Sequence, residues 1–328
     1  MRVLVVGGTR FVGKHVVAAA LARGHEVTLL HRGRSGAELF GEAEHLLADR
    51  DGDLSVLAGR EFDATVDVCA YFPRQVRSLA AALGDRGGHY LYVSSVSAYA
   101  ETPPRGYDET APLATLADPD VDVVDDTTYG GLKALCEQAA TELFGPRTLL
   151  VRPTYVVGPD DYTWRFPWWV QRIATGGEVL APGPADDPAQ VIDGRDQGEW
   201  MVRLLEDGRA GAFHAVSPPP PFTWGELLSA VADAVAPSGT TLTWVDPDWL
   251  RERGLGEAEF PLWAGGSGEA AYSAADPAKA YASGLAPRPL ADTARDTLAW
   301  VREQGGAAQG AGISPEREVA LLAEWHGR

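Results

Sequence analysis

Hydrophobic positions in the first 155 residues come in short runs rich in valine and leucine, separated by stretches where apolar residues recur at helical spacing. Runs at 3–6, 27–30, 65–68, 90–93 and 148–151 predict buried strands. The patterns over 11–23 and 127–144 predict helices stopped by Gly24 and Gly145. Strand alternating with helix demands a parallel sheet covered on both faces, so the expected fold is α/β and doubly wound. After Pro153 the rhythm loosens. Trp164, Trp168 and Trp169 crowd together, four prolines run from 218 to 221, and a smaller second domain is expected. The division expected is 1–155 and 156–328, with segments around 188–216 free to return to the first. Residues 265–268 read as a mobile loop. Residues 289–303 read as an amphipathic helix carrying Leu290, Ala294, Leu298 and Val301. There are no internal repeats.

Composition narrows the class. With 328 residues, 45% hydrophobic and 23% charged, the chain can core one large or two coupled domains. Its 46 acidic and 28 basic residues leave a net charge of -18, which repels a phosphate backbone, so no nucleic-acid partner is expected. Cys69 and Cys136 form no disulfide framework, which fits a reducing compartment. No run approaches eighteen apolar residues, and Gly7 and Gly8 interrupt the opening apolar stretch too early for a secretory signal. A cytoplasmic protein without a membrane partner is expected, and a homodimer stays open. His15, His25, His45, His89, His214 and His326 are scattered without ligand spacing and read as surface or satisfied structural residues, so no metal is expected.

Candidate chemistry begins at the first strand–helix junction. Gly7, Gly8, Thr9, Arg10, Phe11, Val12 and Gly13 follow a strand and open a helix, where backbone N–H groups and the positive helix end can hold a pyrophosphate. In that context the turn marks a Rossmann-type dinucleotide site. A site specific for NAD usually offers a carboxylate to the adenosine ribose at the end of the second strand. Here stand His31, Arg32, Gly33 and Arg34. Guanidinium groups can grip a 2′-phosphate, so Arg32 with Arg34 or Arg10 points to NADP, with NAD the second choice and two solvated loop arginines the bland alternative.

Tyr129 and Lys133 stand four residues apart on one face of a helix. The 28 basic residues include only three lysines, Lys14, Lys133 and Lys279, so the offset is a poor coincidence. A compact ammonium can bond a ribose hydroxyl and favour a tyrosinate by its charge. Gly130 and Gly131 should each cost the helix about 1 kcal/mol, which predicts that something approaches the backbone closely there. Upstream, Ser94 and Ser95 end a strand at the carboxyl edge of the sheet, where open α/β folds bind ligands.

These residues, together with Asp49, Arg152, Pro153, Thr154, Tyr155, Gly158, Pro159 and the stretch 191–196, resemble the extended short-chain dehydrogenase/reductases of the NAD-dependent epimerase/dehydratase family over nearly the whole chain. The resemblance implies a catalytic Ser95, with Tyr129 as acid/base and Lys133 as its partner. It implies Asp49 at the adenine, Cys69, Ala70 and Tyr71 along the bridging ribose and phosphates, and Pro153, Thr154 and Tyr155 beside the nicotinamide.

Departures from the pattern choose within the family. Arg10 replaces the middle glycine of the turn, as in a subgroup whose turn reads Gly-Gly-Thr-Arg-Phe and which includes RNA-acting chloroplast relatives. Val96 and Ser97 stand where the sugar-nucleotide dehydratases carry an Asp-Glu pair, and Tyr155 where many epimerases place an asparagine on the substrate diphosphate. The expected activity is an NADP-preferring oxidoreductase that transfers hydride between nicotinamide and a carbonyl or alcohol carbon of a small apolar or ring-bearing substrate. The alternatives are a sugar-nucleotide epimerase that recycles NAD, and an RNA-binding or regulatory protein on the same scaffold. Trp164, Trp168 and Trp169 are read as core or as pocket wall.

Overall fold

The computed structural model describes residues 1–100, 103–264, 268–306 and 311–328, so most of the loop expected at 265–268 lies outside the described residues. The elements in chain order are β1 (Arg2–Val6), α1 (Phe11–Ala22), β2 (Glu26–His31), β3 (Glu44–Leu47), β4 (Ala64–Asp67), α2 (Pro73–Leu83), β5 (His89–Val93), α3 (Tyr129–Phe144) and β6 (Thr148–Pro153). They continue through β7 (Tyr155–Val157), α4 (Arg165–Thr175), β8 (Glu178–Pro182), β9 (Val191–Asp193), α5 (Gly194–Glu206), β10 (Gly211–Ala215), α6 (Trp224–Val235) and β11 (Thr241–Val245). The last are α7 (Pro247–Arg251), α8 (Ala278–Ala282), α9 (Leu290–Glu303) and α10 (Pro315–His326). Two compact units result: residues 1–154, 194–216 and 275–286 form unit 1, and residues 155–193, 217–274 and 287–328 form unit 2.

Unit 1 is built on a seven-stranded sheet of order β10-β6-β5-β4-β1-β2-β3, parallel throughout. The strands predicted from apolar runs all occur, and they are buried on both faces, which is why their sequences lack alternation. The edge strand β3 has no such run, because Glu44, His45 and the exposed Leu47 leave it only half covered.

The chain enters unit 1 again twice. Helix α5 packs on α1 through Gly194 and Gly198, where a Cβ would lie 2.7 Å from the His15 ring and 2.8 Å from its backbone carbon. Helix α8 was not expected here. Lys279 ties it to β10 by donating to the Ala212 carbonyl at 2.5 Å, with its ammonium 4.3 Å from the Phe213 ring centroid.

Unit 2 has two short parallel pairs, β8 with β11 and β7 with β9, around an aromatic core. Trp168 and Trp169 belong to that core, while half-buried Trp164 leans on Trp300 at 5.4 Å. No helix among the described residues is long and apolar enough to cross a membrane.

Candidate active site

The first turn of the site is shaped by its glycines. Gly7 and Gly8 have φ of +108° and +81°, and a Cβ on Gly13 would fall 2.6 Å from the Gly8 nitrogen. Only glycine lets β1 turn this tightly into α1. Arg10 is the N-cap of α1, no side chain caps that end, and the first turn holds no acidic residue, so the electropositive helix terminus is not cancelled by its own sequence. Phe11 is buried, with its ring 6.1 Å from that of His15, and Val12 is half-buried. The loop after β2 comes against this turn. The Thr9 hydroxyl lies 3.5 Å from that of Ser35, and a Cβ on Gly36 would meet the Thr9 carbonyl at 2.9 Å.

That loop carries Arg32 and Arg34. Both are exposed, and neither makes a hydrogen bond or ion pair among the described residues. His31 is buried and works indirectly. The Gly33 N–H lies 3.1 Å from His31 Nδ1, His31 Nε2 is 2.9 Å from His45 Nδ1, and His45 Nε2 is 3.3 Å from the Phe40 carbonyl. An N–H must donate and a carbonyl must accept, so both rings are neutral with the proton on Nε2. Burial, then the neighbouring His45, pushes His31 below the ordinary histidine range. The pair therefore fixes the backbone between the two arginines.

A second anchored loop follows β3. Asp49 is exposed and accepts from the Asp51 N–H at 3.1 Å. Next to it, Arg50 forms a buried bidentate pair with Asp67 at 2.6 and 2.7 Å and reaches Cys69 Sγ at 3.3 Å. Burial would raise the Asp67 carboxyl, but the charge and bonds of Arg50 outweigh it and hold that carboxyl below its usual range. Burial also pushes the Cys69 thiol up, which keeps it protonated at neutral pH. Gln75 links the two neighbouring loops by accepting from the Tyr71 and Phe72 N–H groups at 2.9 and 3.2 Å and donating to Asp51. A lone aspartate closing the apolar strand β4 is the sequence signal that could have revealed the Arg50–Asp67 pair.

At the carboxyl end of β5 the polar groups converge. Lys133, 4% exposed, donates to the Val93 carbonyl at 2.9 Å and the Ala70 carbonyl at 3.2 Å. Its ammonium lies 4.8, 5.2 and 5.9 Å from the ring centroids of Tyr92, Tyr71 and Tyr129. The Tyr92 hydroxyl donates to the same Ala70 carbonyl at 2.9 Å, and the Tyr71 and Tyr129 rings are 6.3 Å apart. Tyr92 and the two carbonyls escaped sequence reasoning, because one is an ordinary strand aromatic and the others are backbone.

Ser95 caps a 3-10 turn over Val96–Ala98, accepting from the Ser97 N–H and donating to the Ser97 hydroxyl, both at 3.1 Å. The start of α3 is pressed onto that turn. A Cβ on Gly130 would lie 2.1 Å from the Ser97 carbonyl oxygen, and one on Gly131 would lie 2.4 Å from Leu116. The close approach expected at this glycine pair is thus made by the protein itself, and it ties the segment bearing Tyr129 to the one bearing Ser95.

Two hydroxyls at the same edge, Ser94 Oγ just beyond Val93 of β5 and Thr154 Oγ1 just beyond Pro153 of β6, are buried without a hydrogen-bond partner. Buried polar groups are normally satisfied, so a ligand rich in hydroxyl, phosphate and amide groups fits this edge. With the glycine turn, the uncancelled helix end and the arginine loop, the residues of unit 1 fit a nicotinamide dinucleotide. Tyr155 begins β7 in unit 2, with the Arg165 guanidinium 5.1 Å from its ring centroid. Among the described residues no group of three or more His, Cys, Asp or Glu could hold a metal ion.

Arg152, which precedes Pro153, Thr154 and Tyr155, is structural. Buried, it takes Glu137 of α3 at 2.8 and 2.5 Å and donates to the Tyr99 hydroxyl at 2.6 Å. Tyr99 in turn donates to His214 Nε2 at 2.6 Å, while His214 Nδ1 donates to the Asp276 carbonyl at 2.9 Å. This satisfied network includes one of the histidines read as structural.

The chain is 29% identical over 278 residues to a 2'-dehydrokanamycin reductase of Streptomyces kanamyceticus, covering 79% of this chain and 73% of that protein. It is 26% identical over 225 residues to the chloroplast stem-loop binding protein of 41 kDa b of Arabidopsis thaliana, covering 64% of this chain and just over half, 56%, of that protein. The structure superposes on UDP-glucuronic acid 4-epimerase from Bacillus cereus, solved in complex with NAD, with a TM-score of 0.65, covering 93% and 99% of the two chains; at 16% identity this likeness shows the fold. The model of the NAD dependent epimerase/dehydratase family matches residues 3–216, which take in most of unit 1 and residues 155–193 of unit 2, and the chain belongs to that family of NAD(P)-dependent extended short-chain dehydrogenase/reductase enzymes.

Proposed function

We propose that the protein is an NADP-preferring oxidoreductase acting on a carbonyl or alcohol carbon of a small, ring-bearing substrate that is not a sugar nucleotide. The observation that carries the reading is Lys133. It is a buried ammonium held beside Tyr129 by the Val93 carbonyl at the end of β5 and the Ala70 carbonyl in the loop after β4, with no ion-pair partner among the described residues. Glycines of the first turn, the α1 terminus, Ser94 and Thr154 would hold the dinucleotide, and Arg32 and Arg34 would meet a 2′-phosphate. When bound, the nicotinamide supplies hydride in reduction and accepts it in oxidation.

In reduction, the Tyr129 hydroxyl gives its proton to the substrate oxygen as that oxygen becomes an alcohol, and the tyrosine regains a proton from solvent. Lys133 stabilises the tyrosinate left behind, which costs no reorganisation because its ammonium is already fixed. Ser95 would turn its single O–H from the Ser97 hydroxyl to the reacting oxygen while still accepting from the Ser97 N–H. No carboxylate stands at Val96 or Ser97 to remove a substrate proton, which disfavours dehydration. The likeness to the 2'-dehydrokanamycin reductase of Streptomyces kanamyceticus supports reduction.

The test is a panel of ring ketones assayed with reduced cofactor. The expected result is net loss of NADPH absorbance matched by alcohol formed. Turnover of a UDP-sugar with no net change in cofactor absorbance would establish an epimerase instead.

A further inference from the structure

The loop between β2 and β3 is held near both ends by one pair of side chains. His31 closes β2 and His45 lies on the neighbouring edge strand β3, their rings meeting edge to face with centroids 5.1 Å apart. Early in the loop the Gly33 N–H donates to His31 Nδ1 at 3.1 Å, and later the Phe40 carbonyl accepts from His45 Nε2 at 3.3 Å. The bond between the rings, from His31 Nε2 to His45 Nδ1 at 2.9 Å, joins these anchors into one chain of three hydrogen bonds that all run in the same direction. Each ring accepts on Nδ1 and donates on Nε2, so neither has a ring nitrogen left for a ligand.

The backbone so clasped would not keep its shape by local preference. Phe40 has a φ of +58°, a left-handed conformation that residues other than glycine rarely adopt. Its carbonyl holds it there, accepting from the Ala43 N–H at 2.8 Å as well as from His45. Between the two anchors the loop abuts the glycine turn, where Ser35 and Gly36 meet Thr9. What this frame carries is Arg32 and Arg34, which flank Gly33, are exposed, and make no hydrogen bond or ion pair among the described residues. Long side chains on a mobile backbone bind weakly, because ordering both costs entropy, and a backbone fixed in advance removes part of that cost. NADP differs from NAD by one phosphate on the adenosine ribose. A frame that aims these two guanidinium groups therefore acts on one cofactor and leaves the other alone.

We infer that His31 and His45 are positioning residues for cofactor discrimination: clamping the loop from Gly33 to Phe40, they hold Arg32 and Arg34 where both reach the 2′-phosphate of NADP, without a bond of their own to it. This deepens the proposed NADP preference and rests on it.

The test is titration of the full chain with NADP and with NAD, alongside amide hydrogen exchange of residues 32–40 in the cofactor-free protein. His45→Phe keeps a ring but removes both hydrogen-bonding nitrogens. It is expected to speed exchange in the loop and to weaken NADP about tenfold, the size of one charge-assisted contact, while NAD stays within about twofold. His45→Gln, whose amide carries an acceptor and a donor on one carbon as the imidazole does, should restore most of the NADP affinity. A merely structural histidine would weaken both cofactors alike. Should His45→Phe fail to fold, His31→Asn decides. Its amide oxygen still accepts from the Gly33 N–H but its side chain is too short to reach His45, so it should weaken NADP alone. Unchanged exchange, an unchanged NADP/NAD ratio, or equal losses for both cofactors overturns the inference. Arg32→Ala separates the failures. A wild type that prefers NADP, with a ratio sensitive to Arg32→Ala and indifferent to His45→Phe, loses only the clamp, while a wild type that binds both cofactors equally loses the cofactor reading and the clamp together.

Discussion

Lys133 and Arg152 are two cations in one unit, each 4% exposed, and they are used in opposite ways. Arg152 is neutralised by the bidentate carboxylate of Glu137. Lys133 has only carbonyl dipoles and three tyrosine rings, although Glu137 lies one helical turn away on the same helix. Arg152 thus occupies the carboxylate that could otherwise pair with Lys133. A buried cation with an ionic partner holds structure together. One kept among neutral dipoles retains its field for a neighbour, here Tyr129.

The comparison can be broken at either cation, and the largest effect is expected at Lys133. Lys133→Met removes the charge and keeps most of the packing, so it should lower kcat by about 10²–10⁴-fold and weaken cofactor binding while the protein stays folded. Steady-state rates with circular dichroism check this. Glu137→Gln should do the reverse. It strands Arg152, costing about 3–5 kcal/mol of stability and lowering the melting temperature, with little change in the NADP/NAD affinity ratio. Equal loss of stability in both variants would erase the distinction.

The sequence shows the role of one cation and hides that of the other. The Tyr129–Lys133 spacing is local and helical, so it could be read directly. Glu137 takes its partner from β6 and Lys133 its carbonyls from β5 and the loop after β4, contacts that exist only once the parallel sheet has assembled. The sheet itself was legible because strands covered on both faces must be apolar, whereas the half-covered edge strand β3 was not. In unit 2, attention to Trp164, Trp168 and Trp169 found core and an inter-ring contact. Trp224 and Trp263, which join the same core, are far apart in sequence and carry no local signal.

Smaller effects sharpen the account at the cofactor end. Arg32→Ala should narrow the NADP/NAD affinity ratio by about 1.5–3 kcal/mol, the worth of charge-assisted bonds to a 2′-phosphate, as read by titrating both cofactors. The smallest expected effect is on pH. Folding holds His31 neutral and below its ordinary value near 6.5, so the unfolded chain takes up its proton first as pH falls. The contribution is whole above about pH 6.5 and declines below it toward the folded titration point, with a slope of at most about 1.4 kcal/mol per pH unit. Glu44, paired with Arg60, stands on the neighbouring strand and stays ionised across this range. His89 and His214 shift the same way, so the informative quantity is the difference between the wild type and His31→Gln in melts from pH 7.5 to 5.5. Parallel curves would remove the histidine pair from the account.

The most direct measurement compares wild type and Tyr129→Phe for turnover of a ring ketone and for NADP affinity in the same preparation. The substitution deletes the transferable proton and leaves the ring beside Lys133 and Tyr71. The account predicts a fall in kcat of about 10²–10⁴-fold with NADP affinity nearly unchanged. Near-normal turnover by Tyr129→Phe would contradict it.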